Sequence, residues 1–292
     1  MMRFIRLIAH ELELQLRSRR LLLIAIMFIL AALLSGAASA GLARMAEQTL
    51  LAANPAMAGA ISNPEIRAEA LAEFWPMSDD PGIASLSRIE QTVVGIGRYL
   101  LPILLLLAFS DVLSGELRRR TLCYDTMHAS RQTLLLAKLT TALLVSIGLL
   151  GISLVSALFP TALFTELITV GSVASSTLSS FVRLAPLAIA CVPLVFFASA
   201  MTRQSFSSLF IAGLMVLVIP WVLWLAAWVA DEAGFALAAQ AITMLIWVFP
   251  THAGAVLSEP EAASLWSGLA IATGVGALWT CLASVALRRQ QL

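Results

Sequence analysis

The residues of this 292-residue chain that could carry chemistry are its few charged side chains, and the densest run lies between the second and third apolar stretches. Asp111 and Glu116 precede the triplet Arg118, Arg119 and Arg120, and this spacing predicts a short helix. Acids near its start and arginines near its end suit the helix dipole and partly neutralise each other. Such a helix favours docking to another protein over simple lipid anchoring, although a solvated charged loop would explain the same residues.

Catalytic patterns are sparse in this sequence. The histidines lie on different segments without metal-ligand spacing, and the cysteines are too scattered to suggest a disulfide or a metal site. No G-x-x-x-x-G-K-[ST] phosphate loop, no H-E-x-x-H motif and no pair of intramembrane acids occurs. We therefore expect no enzyme activity and no cofactor in this chain, and we keep a membrane-embedded enzyme and an ion-coupled carrier as alternatives. The residues concerned are His10, His128, His252, Cys123, Cys191 and Cys281.

Two arginines lie a short way inside apolar stretches, Arg98 in the second and Arg183 in the fourth. Charged side chains are costly in lipid and often mark a transport pathway. Long arginine side chains near a helix end can also extend to the headgroups, which is the more favoured explanation. Both residues are therefore candidates for a transport route, with interfacial anchoring as the alternative.

The elements that must position these residues are transmembrane helices. Hydrophobic residues make up 60% of the chain and charged residues only 12%, against about 25% charged in soluble domains. Six apolar stretches are each long enough to cross a hydrocarbon core of roughly 30 Å. We predict an all-α integral membrane protein with one membrane domain over residues 1–292. The spans are Leu21 to Leu42, Thr92 to Val112, Leu134 to Phe159, Phe181 to Met201, Phe206 to Val229 and Leu265 to Leu287.

The distribution of basic residues predicts the orientation of these spans. Lysine and arginine concentrate in cytoplasmic loops, and placing both termini inside puts 13 of the 18 basic residues there. A net charge of +1 gives no reason to expect a nucleic-acid partner. We predict a multi-pass protein of a bacterial-type cytoplasmic (inner) membrane. The inner residues would be Arg3, Arg6, Arg17, Arg19, Arg20, Arg118, Arg119, Arg120, Arg131, Lys138, Arg203, Arg288 and Arg289.

Four segments outside the spans have distinct predicted roles. Residues 1–20 form an amphipathic pattern, with Ile5, Ile8, Leu12 and Leu16 on one face, and are expected to lie along the inner membrane surface. The acidic, proline-containing segment 43–91 would be an external loop, and 113–133 a cytoplasmic segment. Residues 231–264 contain an apolar stretch too short to cross the membrane, which predicts an external excursion that re-enters it.

The segment between spans two and three resembles the permeases of ABC transporters, specifically those of the ABC-2 type. Members show an Asp, then Ser-Gly-Glu, Gly-Thr-Leu, a Pro before Ser-Arg, and a Gly-Lys opening the third span. The sequence departs from this pattern at Arg120, His128 and Ala137, which replace the usual Gly, Pro and Gly. The positions that match in order and spacing are Asp111, Ser114, Gly115, Glu116, Thr121, Leu122, Ser130, Arg131 and Lys138.

The resemblance implies that this segment supplies a coupling helix for a separate ABC ATPase subunit, which would bind ATP and Mg. The turn at Arg203 would be a second, smaller contact. It also implies a pair of permeases, from two copies or from a related subunit, surrounded by lipid. Gly36 and Ala40 could lie at such an interface or pack internally. The same segments are similar to permeases of nitrous oxide reductase maturation, which would add a periplasmic partner protein.

Overall fold

A computed structural model describes residues 2–53, 88–119, 130–164, 170–202, 204–250 and 262–289, and the backbone in these ranges is helical apart from short turns. This confirms the all-α prediction. One helix, α7–α8, is continuous through a π-helical segment, Leu214–Val218. The helices are α1 Met2–Leu16, α2 Arg19–Ala53, α3 Arg88–Phe109, α4 Val112–Arg119, α5 Arg131–Phe164, α6 Val170–Met201, α7 Ser205–Gly213, α8 Ile219–Glu232, α9 Ala236–Ile246 and α10 Ala262–Arg289.

Six stretches of these helices are long and apolar enough to cross a membrane, which confirms the six predicted spans. The helices extend beyond the apolar stretches: α2 continues to Ala53, and α3 begins at Arg88. The predicted external loop 43–91 is therefore helical at both ends. The spans are Arg19–Ala38, Val94–Leu117, Arg131–Ala157, Leu178–Met201, Ser205–Glu232 and Ser267–Arg289.

Helix α6 lies at the centre of the bundle. Most of its apolar stretch is buried, and it packs against α10, α3 and α5. Small residues allow neighbouring backbones to come close, as at Gly276 of α10, where a Cβ would lie 3.0 Å from the Ile189 carbonyl oxygen. Because water and lipid are excluded around α6, its hydroxyl groups must bond to other helices or to their own backbone.

Helices α2 and α5 make the closest backbone approach that involves a glycine. A Cβ on Gly36 would lie within bonding distance of the Ala157 carbonyl oxygen, so only glycine fits at this position. The sequence leaves two roles open for Gly36, internal packing or an interface between subunits. The structure gives it the internal role, because its face is covered by α5 of the same chain.

Two serines set the start of spans one and three. Ser18 separates α1 from α2, and its Oγ accepts the Leu21 amide at 3.1 Å. Ser130 precedes α5 and accepts the Thr133 amide at 3.1 Å. Both are N-cap contacts, in which a hydroxyl satisfies an amide that has no partner within its own helix.

The loop after the fifth span is a helical hairpin built from α8 and α9. Helix α8 ends in a Schellman motif: Gly234 has a φ of +80°, and the Phe235 amide donates to the Ala230 carbonyl at 2.9 Å. At 1.5 Å per residue α9 is roughly 16 Å long, too short to cross a membrane. Its C-terminal turn reaches Trp279, near the middle of the last span.

The N-terminal helix α1 packs against α5 along a stripe that shares Leu12 with the predicted apolar face. Leu7 and Leu12 pack on the core and Glu11 is buried, whereas Ile5 and Leu16 are exposed. The buried stripe therefore includes a carboxylate. Glu11 lies there because it has a charged partner on α5, described below.

Candidate functional site

The short helix α4 lies where the chain passes from the second span toward the third, and its first turn is held by the fourth span. The free amides of Leu113 and Ser114 donate to the Ser199 Oγ of α6, at 3.1 and 2.9 Å. Amides at a helix start are normally satisfied by the residue just before the helix. Here that residue is Asp111, and a serine 85 positions later in the chain accepts the bonds instead.

Asp111 is occupied by other partners. Its Oδ2 accepts a hydrogen bond from Arg20 Nη1 at 2.8 Å, and Arg20 Nη2 also donates to the Leu107 carbonyl at 3.1 Å. Its Oδ1 accepts a hydrogen bond from the hydroxyl of Ser205, and the Ser114 Oγ lies 3.4 Å from the same oxygen. One carboxylate therefore joins the start of the first span, the first turn of α4 and the start of the fifth span.

A second hydroxyl contact joins the fifth span to the residue that ends the second. Ser208 Oγ donates to the carbonyl oxygen of Ser110 at 2.5 Å, and both serines are buried. This carbonyl also accepts Ser114 Oγ at 3.1 Å. The turn between α3 and α4 is thereby fixed from two sides.

Lys138 of α5 forms the most buried charged contact among the described residues. Its side chain is 2% exposed, and Nζ lies 2.6 Å from Glu11 Oε1 of α1 and 2.8 Å from Glu116 Oε1 of α4. An ammonium group without water requires opposite charge and hydrogen bonds to remain stable. Two carboxylates from two other helices supply both, so α1, α4 and α5 are joined at one atom.

We call these contacts the α4 network: Glu11, Arg20, Asp111, Ser114, Glu116, Lys138, Ser199, Ser205 and Ser208. It lies at the end of the bundle where spans one, three and five begin, which we call the basic end. Apolar contacts tolerate small sliding movements of one helix on another, whereas hydrogen-bonded charge pairs require defined positions. A displacement of α4 would therefore act on five other helices.

The residues predicted to couple to an ATPase take different positions in this geometry. Asp111, Ser114 and Glu116 bond to the protein's own helices, and the Gly115 Cα lies against the Asp111 carboxylate, where a Cβ would be 3.0 Å from Oδ1. Ser130 caps α5, and Arg131 is the first residue of that helix. Arg118 and Arg119 end α4, and Arg120, Thr121, Leu122 and Arg203 lie outside the described residues.

Several members of the α4 network are absent from the predicted set of coupling residues. Lys138 is the only lysine of the chain and lies within an apolar stretch, a sequence signal that marks functional charges. The sequence indicates Glu11 and Arg20 less strongly. Glu11 is a charge within the amphipathic pattern of residues 1–20, and Arg20 is a charge beside the first apolar stretch. Ser199, Ser205 and Ser208 have none, because serines occur in most of the spans and only packing shows which of them face α4.

The two candidate route residues lie on adjacent helices near the other end of the bundle. A Cβ on Gly97, beside Arg98, would lie 2.9 Å from a methyl of Leu184, beside Arg183. Arg183 is buried and Arg98 half-buried, and both engage other groups of the protein. An apolar cavity of about 50 Å³ nearby is lined by α2, α3, α5 and α6, including Phe28, Leu101 and Leu154, but by neither arginine. Their role in transport stays a prediction.

The chemistry of the α4 network is ionic and hydroxylic bonding between helices. Within the described ranges, no three histidine, cysteine, aspartate or glutamate residues lie close enough to hold a metal ion. Glu11, Glu116 and Lys138 are held against one another in a buried contact, so their charges are used to fix helix positions.

Comparison with known protein families identifies the family of this chain. A family model described as ABC-2 family transporter protein matches residues 5–291, nearly the whole chain. Among curated proteins, no significant match is found. The matched region contains all six spans and every residue of the α4 network.

Proposed function

This chain belongs to the ABC-2 transporter family, as a multi-pass membrane component of an ABC transporter, and we propose that its α4 network receives movement from a separate ATPase subunit. The family in general pairs such a membrane subunit with an ABC ATPase. The observation that carries the proposal is the geometry of α4, a short helix joined by charge and hydroxyl contacts to α1, α2, α5, α6 and α7.

The proposal divides the predicted coupling residues into two groups. Asp111, Ser114 and Glu116 position α4 within the permease. The docking surface would come from the end of α4 and the segment after it, within 113–133, together with Arg203. ATP and Mg would bind in the partner, since the chain has no G-x-x-x-x-G-K-[ST] loop. The docking residues are Arg118, Arg119, Arg120, Thr121, Leu122, Ser130 and Arg131.

The division has a physical basis. A docking residue must present its side chain to the partner, and Ser114 is fully buried while Glu116 and Asp111 are mostly covered. Ion pairs within the permease would transmit a push on α4 without local rearrangement, because separating a buried pair leaves an uncompensated charge. Movement of α4 would then displace α1 and the third span together.

The orientation and assembly are part of the proposal. The basic end would face the cytoplasm, where a soluble ATPase can reach it, as the charge distribution predicts. A location in the bacterial inner membrane is consistent with the family and the six spans. The permease would work as a pair, because its first, fifth and sixth spans are only sparsely covered by the chain itself. The proposed activity is export or conformational signalling across the membrane.

Two pairs of consecutive arginines, on two different helices, allow a controlled test of ATPase docking. Arg118 and Arg119 end α4, and Arg288 and Arg289 end α10, each pair being the last two residues of its helix. Co-expression with an ABC ATPase encoded beside this chain, followed by affinity purification of the permease, measures the complex. We expect Arg118→Ala with Arg119→Ala to reduce ATPase recovery at least about tenfold, the effect of losing two charge-assisted contacts.

The pair Arg288→Ala with Arg289→Ala removes the same charge from another helix end and should leave recovery unchanged. Equal recovery from both variants would remove the docking role from α4. Equal loss in both would show that overall charge at this end, and not α4, attracts the ATPase.

A further inference from the structure

We propose that the α4 network also controls the hairpin of α8 and α9, through Ser199 on one face of α6 and Trp279 on α10. The hairpin is docked on α10 when α4 is seated on Ser199, and it loosens when that seat is lost. This inference rests on the proposed function for its biological meaning, but the link itself is a property of the permease alone.

The first step of the link is the seat of α4 on α6. Ser199 Oγ accepts the amides of Leu113 and Ser114, the second and third residues of α4, and the serine is fully buried. A buried amide that loses its acceptor is costly, so α4 and α6 are expected to move as one unit. Side-chain contacts on the other faces of α6 will follow that movement.

The second step is an aromatic contact from α6 to the last span. Phe197 lies two residues before Ser199, roughly 200° around the helix, and so faces away from α4. Its ring centroid is 5.2 Å from that of Trp279, and the rings are tilted by 46°. Helix α6 therefore lies between α4 and Trp279, and both contacts fall within one helical turn.

The third step joins Trp279 to the hairpin. Its Nε1 donates to the carbonyl of Val248 at 2.9 Å, just after α9 ends, and its ring packs 6.1 Å from Phe249. The indole thus holds the turn that follows α9 against the last span, because a carbonyl outside a helix needs a partner from elsewhere in the protein.

The hairpin is suited to opening and closing. Most side chains of α9 are exposed in this chain, among them Leu237 at 84% and Met244 at 72%, so few buried contacts oppose its separation from α10. Trp279 and its aromatic neighbours form the main contact at the hairpin's inner tip. A small shift of α6 that changes the Trp279 position would therefore bias the docked state.

Hydrogen exchange on the full chain in lipid nanodiscs, without any ATPase, tests the link. Ser199→Ala should raise the exchange rates of the α9 amides by about two- to thirtyfold, the range of coupling between distant sites. Ser146→Ala is the matched control, because Ser146 is equally buried but bonds only to the Ala142 carbonyl of its own helix. It should leave α9 unchanged.

If Ser199→Ala folds poorly, a substitution at Trp279 followed by measurement at α4 tests the same link from the other side. Trp279→Phe keeps an aromatic ring and removes the donor to Val248, and because coupling between two sites acts in both directions, α4 should respond as well. The exchange rates of the Leu113 and Ser114 amides should rise, whereas Trp224→Phe, at an exposed position, should leave them unchanged.

Unchanged α9 exchange in Ser199→Ala, or equal effects in Ser146→Ala, would overturn the link, and so would unchanged α4 exchange in Trp279→Phe. None of these outcomes depends on an ATPase. Failure of ATPase docking with the exchange results intact would remove the proposed function and leave the link in place.

Discussion

At the scale of single residues, Lys138 is the most constrained charge that the structure describes. It is 2% exposed and lies between carboxylates contributed by two other helices. Burying three charged groups costs solvation that the ion pairs only partly return, so such a site is weak evidence for stability. The role of this site is to position helices, because the Lys138 ammonium holds α1 and α4 at fixed places on the third span.

Replacing Lys138 should therefore separate stability from coupling. Lys138→Met leaves the buried Glu11 carboxylate without its ammonium partner and should lower the free energy of unfolding by about 3–5 kcal/mol. Chemical unfolding in detergent micelles measures this change. Arg17→Met is the control, because the Arg17–Glu13 pair is exposed and its loss should cost at most about 1 kcal/mol.

A triple variant completes this prediction. Glu11→Leu and Glu116→Leu added to Lys138→Met remove all three charges, and stability should recover largely while ATP-dependent function stays low. A triple variant with normal function would contradict the positioning role of these residues. A loss in Lys138→Met no larger than in Arg17→Met would show that the charges are hydrated in the folded protein.

At the scale of elements, spans one and five leave large apolar surfaces uncovered by the chain. Leu34 of α2 is 70% exposed and Trp221 of α8 is 62% exposed. Span five also contains the π-helical segment Leu214–Val218 just before Pro220, which cannot donate to a carbonyl one turn earlier. Such a segment is a common place for a helix to bend. These surfaces must meet lipid or a second permease.

Cysteine cross-linking distinguishes contact with lipid from contact with a second permease. Counted from Arg20 and Ser205, which share the Asp111 carboxylate, Leu34 and Trp221 lie at similar depths. With the native cysteines replaced, Leu34→Cys and Trp221→Cys should form a disulfide-linked dimer on oxidation in membranes. Val155→Cys with Trp221→Cys is the control, since Val155 is equally exposed but lies on the third span. Dimers in both pairs, or in neither, would contradict pairing through spans one and five.

At the scale of the whole molecule, the charges at the basic end predict the orientation of the protein in the membrane. The starts of spans one, three and five meet around the α4 network, and the last span ends in Arg288 and Arg289. Translocating this cluster would be costly, so it should remain in the cytoplasm. The α8–α9 hairpin would then open to the other side.

Thiol labelling in sealed cells tests this orientation. In a chain without native cysteines, Asp231→Cys at the end of α8 should react with an impermeant maleimide. Arg17→Cys, whose native side chain is 78% exposed, should react only after the membrane is permeabilised. The opposite pattern would reverse the topology and with it the side on which the ATPase docks.

The six spans of this protein could be predicted from the sequence alone. Whether a helix can cross a bilayer depends on a local sum of hydrophobicity over about 20 residues, and that sum is readable without knowing any neighbour. All six spans follow from it. The ABC-2 pattern from Asp111 to Lys138 likewise identifies the family, because its residues lie close together along the chain.

Only the tertiary structure decided which groups meet. Lys138 bonds to Glu11, 127 positions away, and Ser199 caps a helix 85 positions earlier. The sequence also gave no sign that Glu11 of α1 would be buried against Lys138. These contacts depend on the order, rotation and depth at which helices pack. The apolar faces of different helices have similar residue patterns in the sequence. The pattern therefore does not show which helix packs against which.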